Sequence, residues 1–397
     1  MISTMAPKVT VVVIGGSNAG IAVSHSLLRL IPTVKVILVN PSKDYYFNIA
    51  APRVIAKPDA FAFDKYLLSI ADAFKQYPAK SFEFIQGRAT AIDAKRKTVT
   101  VERTSPSSSS RMSFDYLVIA SGSTTRATLG QGSARVPFKP TGAEDLRPVI
   151  QEAQKAIADA KSIVIGGAGP VGVEFAGELA EAFADKEKDT SITLISASKQ
   201  VLPELKESAG RAAERLLKKK GVKLLTGRQV EKAEQDFVSK KWTVTLEGGV
   251  TITADVYVSA TGVIPNNRFI PTSFLDQDGW VKVDDQFRVT SAVVDGKRCA
   301  VYAVGDVTGH PYRFLSRIPE QVSVVVANLW AEITDQQMRA IYKPSNKQMV
   351  FVPVGKSGGT GQLGSWVAWS FLVAFAKGRD FLVPRASSII HGLQSAV

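Results

Sequence analysis

The stretch SIVIGGAGPVGVEFAGEL, Ser162–Leu179, decides how this chain is read. Ser162–Ile165 has the apolar run of a buried strand. Gly167, Gly169 and Gly172 follow at the G-x-G-x-x-G spacing, and Val173, Ala176, Leu179 and Ala180 recur at helical spacing. A strand, a glycine turn and a helix in that order form a dinucleotide-binding turn. The first glycine permits the tight turn, the second lets backbone approach a diphosphate, and the third lets helix pack on strand. The helix N-terminus then presents free N–H groups and a positive dipole end to the anion.

A twin lies upstream. VTVVVIGGSNAG, Val9–Gly20, repeats the strand and turn, with Gly15 and Gly20 in register and Ser17 at the middle position. A side chain there crowds a diphosphate unless its hydroxyl becomes a donor to it. Two such turns argue for two dinucleotides brought together by one chain. The strand after the first turn, Val34–Val39, ends in Asn40, where such folds normally place an acid on the adenosine ribose. An amide still bonds a hydroxyl, more weakly, and Asp44 just downstream offers a substitute. The strand after the second turn, Ser191–Ile195, is followed by Ser196-Ala197-Ser198-Lys199, again without an acid. Nothing there repels a 2′-phosphate, and Ser196, Ser198 and Lys199 are suited to accept one. NADPH is therefore expected to be tolerated.

Composition bounds the alternatives. A chain of 397 residues predicts roughly two to three domains with ample core. Its single cysteine, Cys299, excludes an internal disulfide, a C-x-x-C redox pair and a cysteine-based metal cluster. His25, His310 and His391 offer no ligand spacing, so no metal is expected; His25 is read as structural on the first helix. The net charge of +13 favours anions in general. Lys95–Lys97 and Lys218–Lys220 are short, scattered and free of interleaved aromatics, which argues against nucleic acid. Met1–Lys8 lacks the apolar run of a signal peptide, and no segment has the roughly 20 apolar residues of a membrane span. The expected location is cytoplasmic, not secreted.

Along the chain, DYYFNIAAPR (Asp44–Arg53) is read as an aromatic loop over a flavin with Arg53 near its diphosphate; the alternative is a packed loop. Ser81–Ile92 and Thr98–Arg103 are strands, and Ser105–Ser110 is a flexible connection. Phe114–Gly122 and Asp255–Asn266 are strands ending in small-residue turns, and Val301–Val304 leads to Gly305-Asp306. Asp145–Ala160, Glu207–Lys220 and Ile318–Glu332 are helices. Near the end, WVAWSFLVAFA (Trp366–Ala376) is too short to span a bilayer, and Lys377, Arg379 and Arg385 follow it. Aromatics flanked by bases fit a segment lying in the headgroup region; the alternatives are a buried helix or a homodimer interface.

These motifs in this order resemble the two-dinucleotide flavoprotein reductases. GPVGVEFAGEL (Gly169–Leu179) is similar to type II NADH dehydrogenases and to the apoptosis-inducing-factor-like branch. The tail GQLGSWVAWSFLVAFAKGRDFLV (Gly361–Val383), Asn48, Arg53 and VYAVGD (Val301–Asp306) resemble the ferroptosis-suppressor members of that branch. The resemblance implies an α/β fold of two Rossmann-like domains plus a small C-terminal α+β segment. It places an FAD domain at 8–142 and 268–348, an NAD(P)H domain at 143–267 and a membrane or dimer segment at 349–397. It implies FAD and NADH or NADPH as cofactors, and a quinone-type acceptor at a membrane surface such as the mitochondrial outer surface or a lipid droplet. The N-terminal Met-Gly of the branch's myristoylation signal is absent.

Candidate FAD contacts are Gly15, Gly16, Ser17, Asn18, Ala19, Gly20, Asn40, Arg53, Ala89, Ser121, Gly122 and Asp306, the last toward the ribityl or diphosphate region at a helix start, where the alternative is a plain N-cap. Candidate coenzyme contacts are Gly167, Gly169, Pro170, Gly172, Ser196, Lys199 and Gly262. Glu174 is expected to orient the nicotinamide, Glu178 to be structural, and Gln321 to donate to a quinone carbonyl. Two rival functions stand beside quinone reduction: a flavin oxidoreductase for a specialised small molecule, and a slow redox effector.

Overall fold

A computed structural model describes residues 8–104, 108–184, 190–294, 296–310, 313–337, 339–344 and 349–393. Of Met1–Lys8 only Lys8 falls within these. Of Ser105–Ser110, residues 105–107 lie outside them, while Ser109 and Ser110 already belong to a strand.

The first sheet has seven strands: β1 (Val9–Ile14), β2 (Val34–Asn40), β3 (Phe82–Asp93), β4 (Thr98–Arg103), β5 (Ser109–Ser113), β6 (Tyr116–Ile119) and, much later in the chain, Val301–Ala303. Their order is Val301–Ala303, β6, β1, β2, β3, β4, β5. β1, β2, β6, Val301–Ala303 and the start of β3 pair in parallel, and β3, β4 and β5 continue as an antiparallel meander. The β-branched run of β1 is buried over Val11–Ile14, as a central parallel strand covered on both faces requires. Helix α1 (Asn18–Leu30) follows it and starts earlier than Ile21, with Ser17 at its N-cap.

The second sheet is wholly parallel: β7 (Ser162–Gly166), β8 (Ser191–Ser196), β9 (Lys223–Thr226) and β10 (Val256–Ser259), in the order β9, β8, β7, β10. A short helix α2 (Ala51–Ala56) belongs to the first unit, α3 (Arg147–Asp159) leads into the second, and α4 (Pro170–Ala184) and α5 (Glu207–Lys219) flank its sheet. The chain returns to the first sheet only at Val301–Ala303 and then forms α6 (Ile318–Ile333). The two crossings between units lie side by side. Thr124 pairs with Ile264, Asn266 Nδ2 donates to Ser121 O at 2.8 Å, and Ser121 Oγ donates to Asn266 O at 2.8 Å.

The C-terminal segment is a small antiparallel sheet of Met349–Pro353, Gly359–Leu363 and Trp366–Val367, then α7 (Ser370–Val373) and α8 (Arg385–Ile390). It is wedged against the other two units. A Cβ on Gly177 of α4 would come within 2.8 Å of the Val354 and Gly355 backbone, so only glycine admits this approach. α8 docks on α1 through His25, which is buried and stacked on Phe74 at 3.9 Å. Burial lowers the His25 pKa to about 4. The neutral ring donates from Nε2 to Ile390 O (2.8 Å) and accepts at Nδ1 from the Tyr77 hydroxyl (2.9 Å). Among the described residues no helix is long and apolar enough to cross a membrane.

One carboxylate links all three units. Glu181 of α4 accepts from Lys57 just after α2 (2.8 Å), from Lys220 after α5 (2.7 Å) and from the Lys356 amide (2.9 Å). Burial alone would raise its pKa, but these donors together hold it down to about 2. A depressed carboxyl contributes stability above its unfolded pKa and loses it as pH falls toward the folded one. Glu181→Gln is therefore expected to lower Tm at neutral pH, and the gap to the natural protein to narrow as pH falls from about 5 to about 2. A gap independent of pH would show that the carboxylate charge does not hold the units together.

Candidate functional site

The two sheets place their glycine turns alike. β1 has β2 on one side and β6 on the other, and β7 has β8 on one side and β10 on the other. Each turn thus leaves the carboxyl end of a strand at a switch in strand order, where open α/β sheets bind ligands. Gly15 (φ 113°) and Gly167 (φ 106°) make the turns. A Cβ on Gly15 would lie 2.3 Å from Ala120 O, and one on Gly167 would lie 2.7 Å from Ala260 O. The third glycines are tighter still: a Cβ on Gly20 would meet Gly15 O at 1.8 Å, and one on Gly172 would meet Gly167 O at 2.0 Å. In contrast, a Cβ on Gly169 would meet nothing within 4 Å, because Gly169 faces open cleft.

That cleft measures about 1440 Å³ and joins both turns. Gly15, Gly16, Ser17, Asn18, Ala19, Asn40, Ser121, Gly122, Asp306, Gly169, Pro170, Glu174 and Gly262 all line it. Gly20, Gly167 and Gly172 stand behind it, packing helix on strand. The Ser17 hydroxyl makes no capping bond to α1. Asn40 has a bracing role: its Oδ1 accepts the Gly16 N–H at 2.8 Å and its Nδ2 donates to Ser42 O at 2.8 Å. Asp44 is not its substitute, being buried and paired with Arg147 at 3.0 Å. Asp306 does not cap a helix, since α6 begins only at Ile318 with Arg317 at its N-cap. Its carboxylate instead accepts from Lys139 Nζ (2.5 Å) and Ser123 Oγ (3.2 Å) at the cleft wall.

Glu174 lies on the cleft side of α4, 4% exposed. Burial pushes its carboxyl up, against the opposing pull of Lys377. Lys377 Nζ donates to Glu174 Oε1 at 2.5 Å from the C-terminal segment. Read in sequence as a base for lipid headgroups, Lys377 is drawn inward because a buried carboxylate needs a partner.

Five expected site residues lie elsewhere. Arg53 is buried away from the cleft. Its Nε and Nη2 each donate to a Glu178 oxygen at 2.8 Å, and Nη2 and Nη1 donate to Gly378 O (2.7 Å) and Arg379 O (2.9 Å). Four of its five N–H donors are thus spent on Glu178 and the turn carbonyls rather than on a diphosphate. Ala89 is packed in the core behind the first sheet with Val99, Val101 and Ile119. Ser196 is buried and donates from Oγ to Gln200 O at 2.8 Å, and Lys199 is exposed beyond the cleft. Gln321 is buried and accepts the Gly305 N–H on Oε1 at 2.9 Å, bracing the turn before Asp306. Ile318 and Val322, one helical turn apart, line the cleft instead; Gln321 points about 100° around α6 from Val322. Lys139 escaped the sequence reading because it belongs to no motif, and Lys377 was read there only as one of the bases of the tail.

The model described as pyridine nucleotide-disulphide oxidoreductase matches residues 9–328. Oxidoreductase ptaL of Pestalotiopsis fici is 34% identical over 91% of this chain and 94% of its own length. Ferroptosis suppressor protein 1 of Taeniopygia guttata is 28% identical over 96% and 95%. Among solved structures, the sulfide:quinone oxidoreductase of Aquifex aeolicus shares the fold with a TM-score of 0.76 at 18% identity, over 96% of this chain and 92% of its own. Proteins of the matched family use FAD and NAD(P)H.

The residues present fit both. The Gly15–Gly20 turn, the unspent Ser17 hydroxyl and the Asp306 carboxylate suit the diphosphate and hydroxyls of FAD. Open backbone at Gly169 and Pro170 suits the diphosphate of the coenzyme. The contrast between two glycines tests this. Gly169→Ala is expected to leave thermal unfolding unchanged and to weaken NAD(P)H binding about tenfold or more, read by titrating the flavin band or by calorimetry. Gly172→Ala, whose Cβ would strike Gly167 O, is expected to lower Tm. Equal behaviour of the two variants would count against a coenzyme site at this turn.

Proposed function

This chain belongs to the pyridine nucleotide-disulphide oxidoreductase family, and from that premise we propose that it reduces a quinone-type acceptor with NAD(P)H at a membrane surface. FAD, held at the Gly15–Gly20 turn, would supply the redox chemistry by which two electrons pass as hydride from NAD(P)H, held at Gly169 and Pro170, and on to the acceptor. The chain has one cysteine, half-buried at Ala94 and outside the cleft. Electrons therefore have no protein disulphide to enter and must leave to an external acceptor.

The observation that carries the proposal is an apolar arm of the cleft. From Val304, Gly305 and Ile318 it runs between Ala22 and Leu30 of α1 and Val322 and Val326 of α6, walled by Leu382, Ile389 and Leu393, with Ser26, Arg29, Ser323 and Arg385 as polar groups in the same lining. Leu30 and Leu393 are exposed at 55% and 70%. Such a lining favours a ring with an apolar substituent over a charged substrate. Glu174 and Lys377 stand at the coenzyme end and orient the nicotinamide.

The membrane part rests on Trp369, Phe371 and Phe375, each more than three-fifths exposed. Trp366 packs edge-on to Trp369, Phe371 stacks on Trp369, and Arg379 lies over Phe375. Exposed aromatics beside a base suit the headgroup region. NADPH is accepted alongside NADH, since β8 ends without an acid and Lys199 and Arg228 are exposed at its end. A preference for NADH above about a hundredfold would overturn that.

Stopped-flow absorbance tests the main proposal. The flavin band is expected to bleach with NADH or NADPH and return with a short-chain quinone, and Glu174→Gln to slow bleaching at least about tenfold. Bleaching that no quinone reverses would overturn the quinone assignment, and reduced protein that no acceptor reoxidises would favour a redox effector. Liposome flotation checks the surface: Trp369→Ser/Phe371→Ser/Phe375→Ser is expected to abolish it. Unchanged flotation, or loss of a dimer instead, would assign the aromatics to another role.

A further inference from the structure

We propose that Arg53 is the positioning residue of the Glu174–Lys377 pair, locking the coenzyme-side helix to the acceptor-side segment. Arg53 comes from α2, in the first unit. It holds both Glu178 oxygens on α4 and the carbonyls of Gly378 and Arg379 in the C-terminal segment. Phe381 lies under the guanidinium at 4.6 Å. Glu178 is one helical turn from Glu174, on the same face, and Gly378 is next to Lys377. Each member of the catalytic-site pair is thus one step from a group that Arg53 holds.

The turn carrying Lys377 needs such a hold. Ala374–Gly378 is a single π-type turn, and the Arg379 N–H reaches back to Ala374 O at 2.7 Å. Turns of this width are rare, and appear mostly at functional sites. Phe375 and Arg379 face outward, whereas Lys377 is turned in to Glu174. Arg53 takes the carbonyls at the end of this turn, and its planar fork fixes direction as well as distance. Lysine at 53 has no such fork. Lys57 also reaches Glu178, at 2.9 Å, but touches no carbonyl of the turn. A buried ion pair is often no more stabilising than an apolar pair of similar volume, so the geometric role and the stabilising role can be separated.

The inference rests on the assignment of Glu174 to the coenzyme site, and the test keeps the two apart. The full chain is loaded with FAD as the natural protein and as Arg53→Lys, Arg53→Met/Glu178→Met and Lys57→Gln. Tm, amide hydrogen exchange over 374–382 and single-turnover flavin reduction by NADH are measured on each. Both Arg53 variants are expected to speed exchange over 374–382 and to slow reduction at least about tenfold, with NADH affinity little changed. Lys57→Gln is expected to lower Tm without either effect. The double variant removes both charges, so it keeps the test informative where Arg53→Lys folds poorly. Natural exchange over 374–382 in a folded Arg53 variant would overturn the proposal, whatever happens to the rate. If Glu174→Gln and Lys377→Met leave reduction unchanged, the coenzyme-site assignment falls, while faster exchange in the Arg53 variants still identifies Arg53 as the lock on the turn.

Discussion

Two close approaches of backbone to backbone set the geometry of this oxidoreductase. At Gly20 and at Gly172 a helix is pressed so near its own preceding turn that a single added carbon would lie about 2 Å from a carbonyl oxygen. That contact fixes the entry angle of α1 and α4 relative to their strands. It also aims both helix N-termini, with their unpaired N–H groups and positive dipole ends, into one cleft. The crossings at Thr124–Ile264 and Ser121–Asn266 then join the carboxyl ends of the two sheets, so the turns face each other across a shared space.

The C-terminal segment completes that space, and it enters by the same device. Gly177 lets Val354 and Gly355 sit against α4, which delivers Lys377 to Glu174. Polar groups at this three-way junction are buried, and buried charge is tolerated only when it is paired and hydrogen-bonded. Arg53, Glu178, Lys57, Glu181 and Lys220 satisfy one another across unit boundaries. Of these contacts only Glu181–Lys220 lies within one unit; the others have partners only when the units are docked.

The elements with strong local signals were readable from the residues. The strands β1 and β7, the turns after them and the helices α1 and α4 combine an apolar run, a glycine pattern and a period that agree, and α6 shows the apolar period alone. Gly15–Ala19 and Gly169 followed from those patterns, Glu174 and Asp306 from the family resemblance, and all of them line the cleft. What escaped was set by contacts distant in sequence. Arg53 looked like an anion ligand because an arginine beside an aromatic loop has no other visible partner; its partner lies 125 residues away on α4. Gln321 was placed on the right helix, but which face of α6 meets the cleft depends on how α6 packs on α1. Ser196 was read from its position after a strand, yet the next turn folds back and uses its hydroxyl on Gln200. Lys377 was grouped with its exposed neighbours, and only the π-type turn separates it from them.

The two departures of the first turn, Ser17 and Asn40, make sense together. An acid at position 40 would present a charged acceptor to a ribose, and a carboxylate has no N–H with which to hold the loop that follows β2. The amide does both bracing jobs at once, accepting from Gly16 and donating to Ser42. What a ribose at this site would lose in a charged hydrogen bond, worth about 1.5–3 kcal/mol against about 0.5–1.5 for a neutral one, a diphosphate would recover from two sources. The Ser17 hydroxyl is free of α1 and stands where a glycine would offer no donor. The chain's net charge of +13 also raises the local potential for an anionic cofactor before any contact forms. With FAD held at the first turn as we propose, affinity would shift from the adenosine end toward the diphosphate. The flavin end is the end whose position governs electron transfer, so such a shift would place the binding contacts where positional error is most costly.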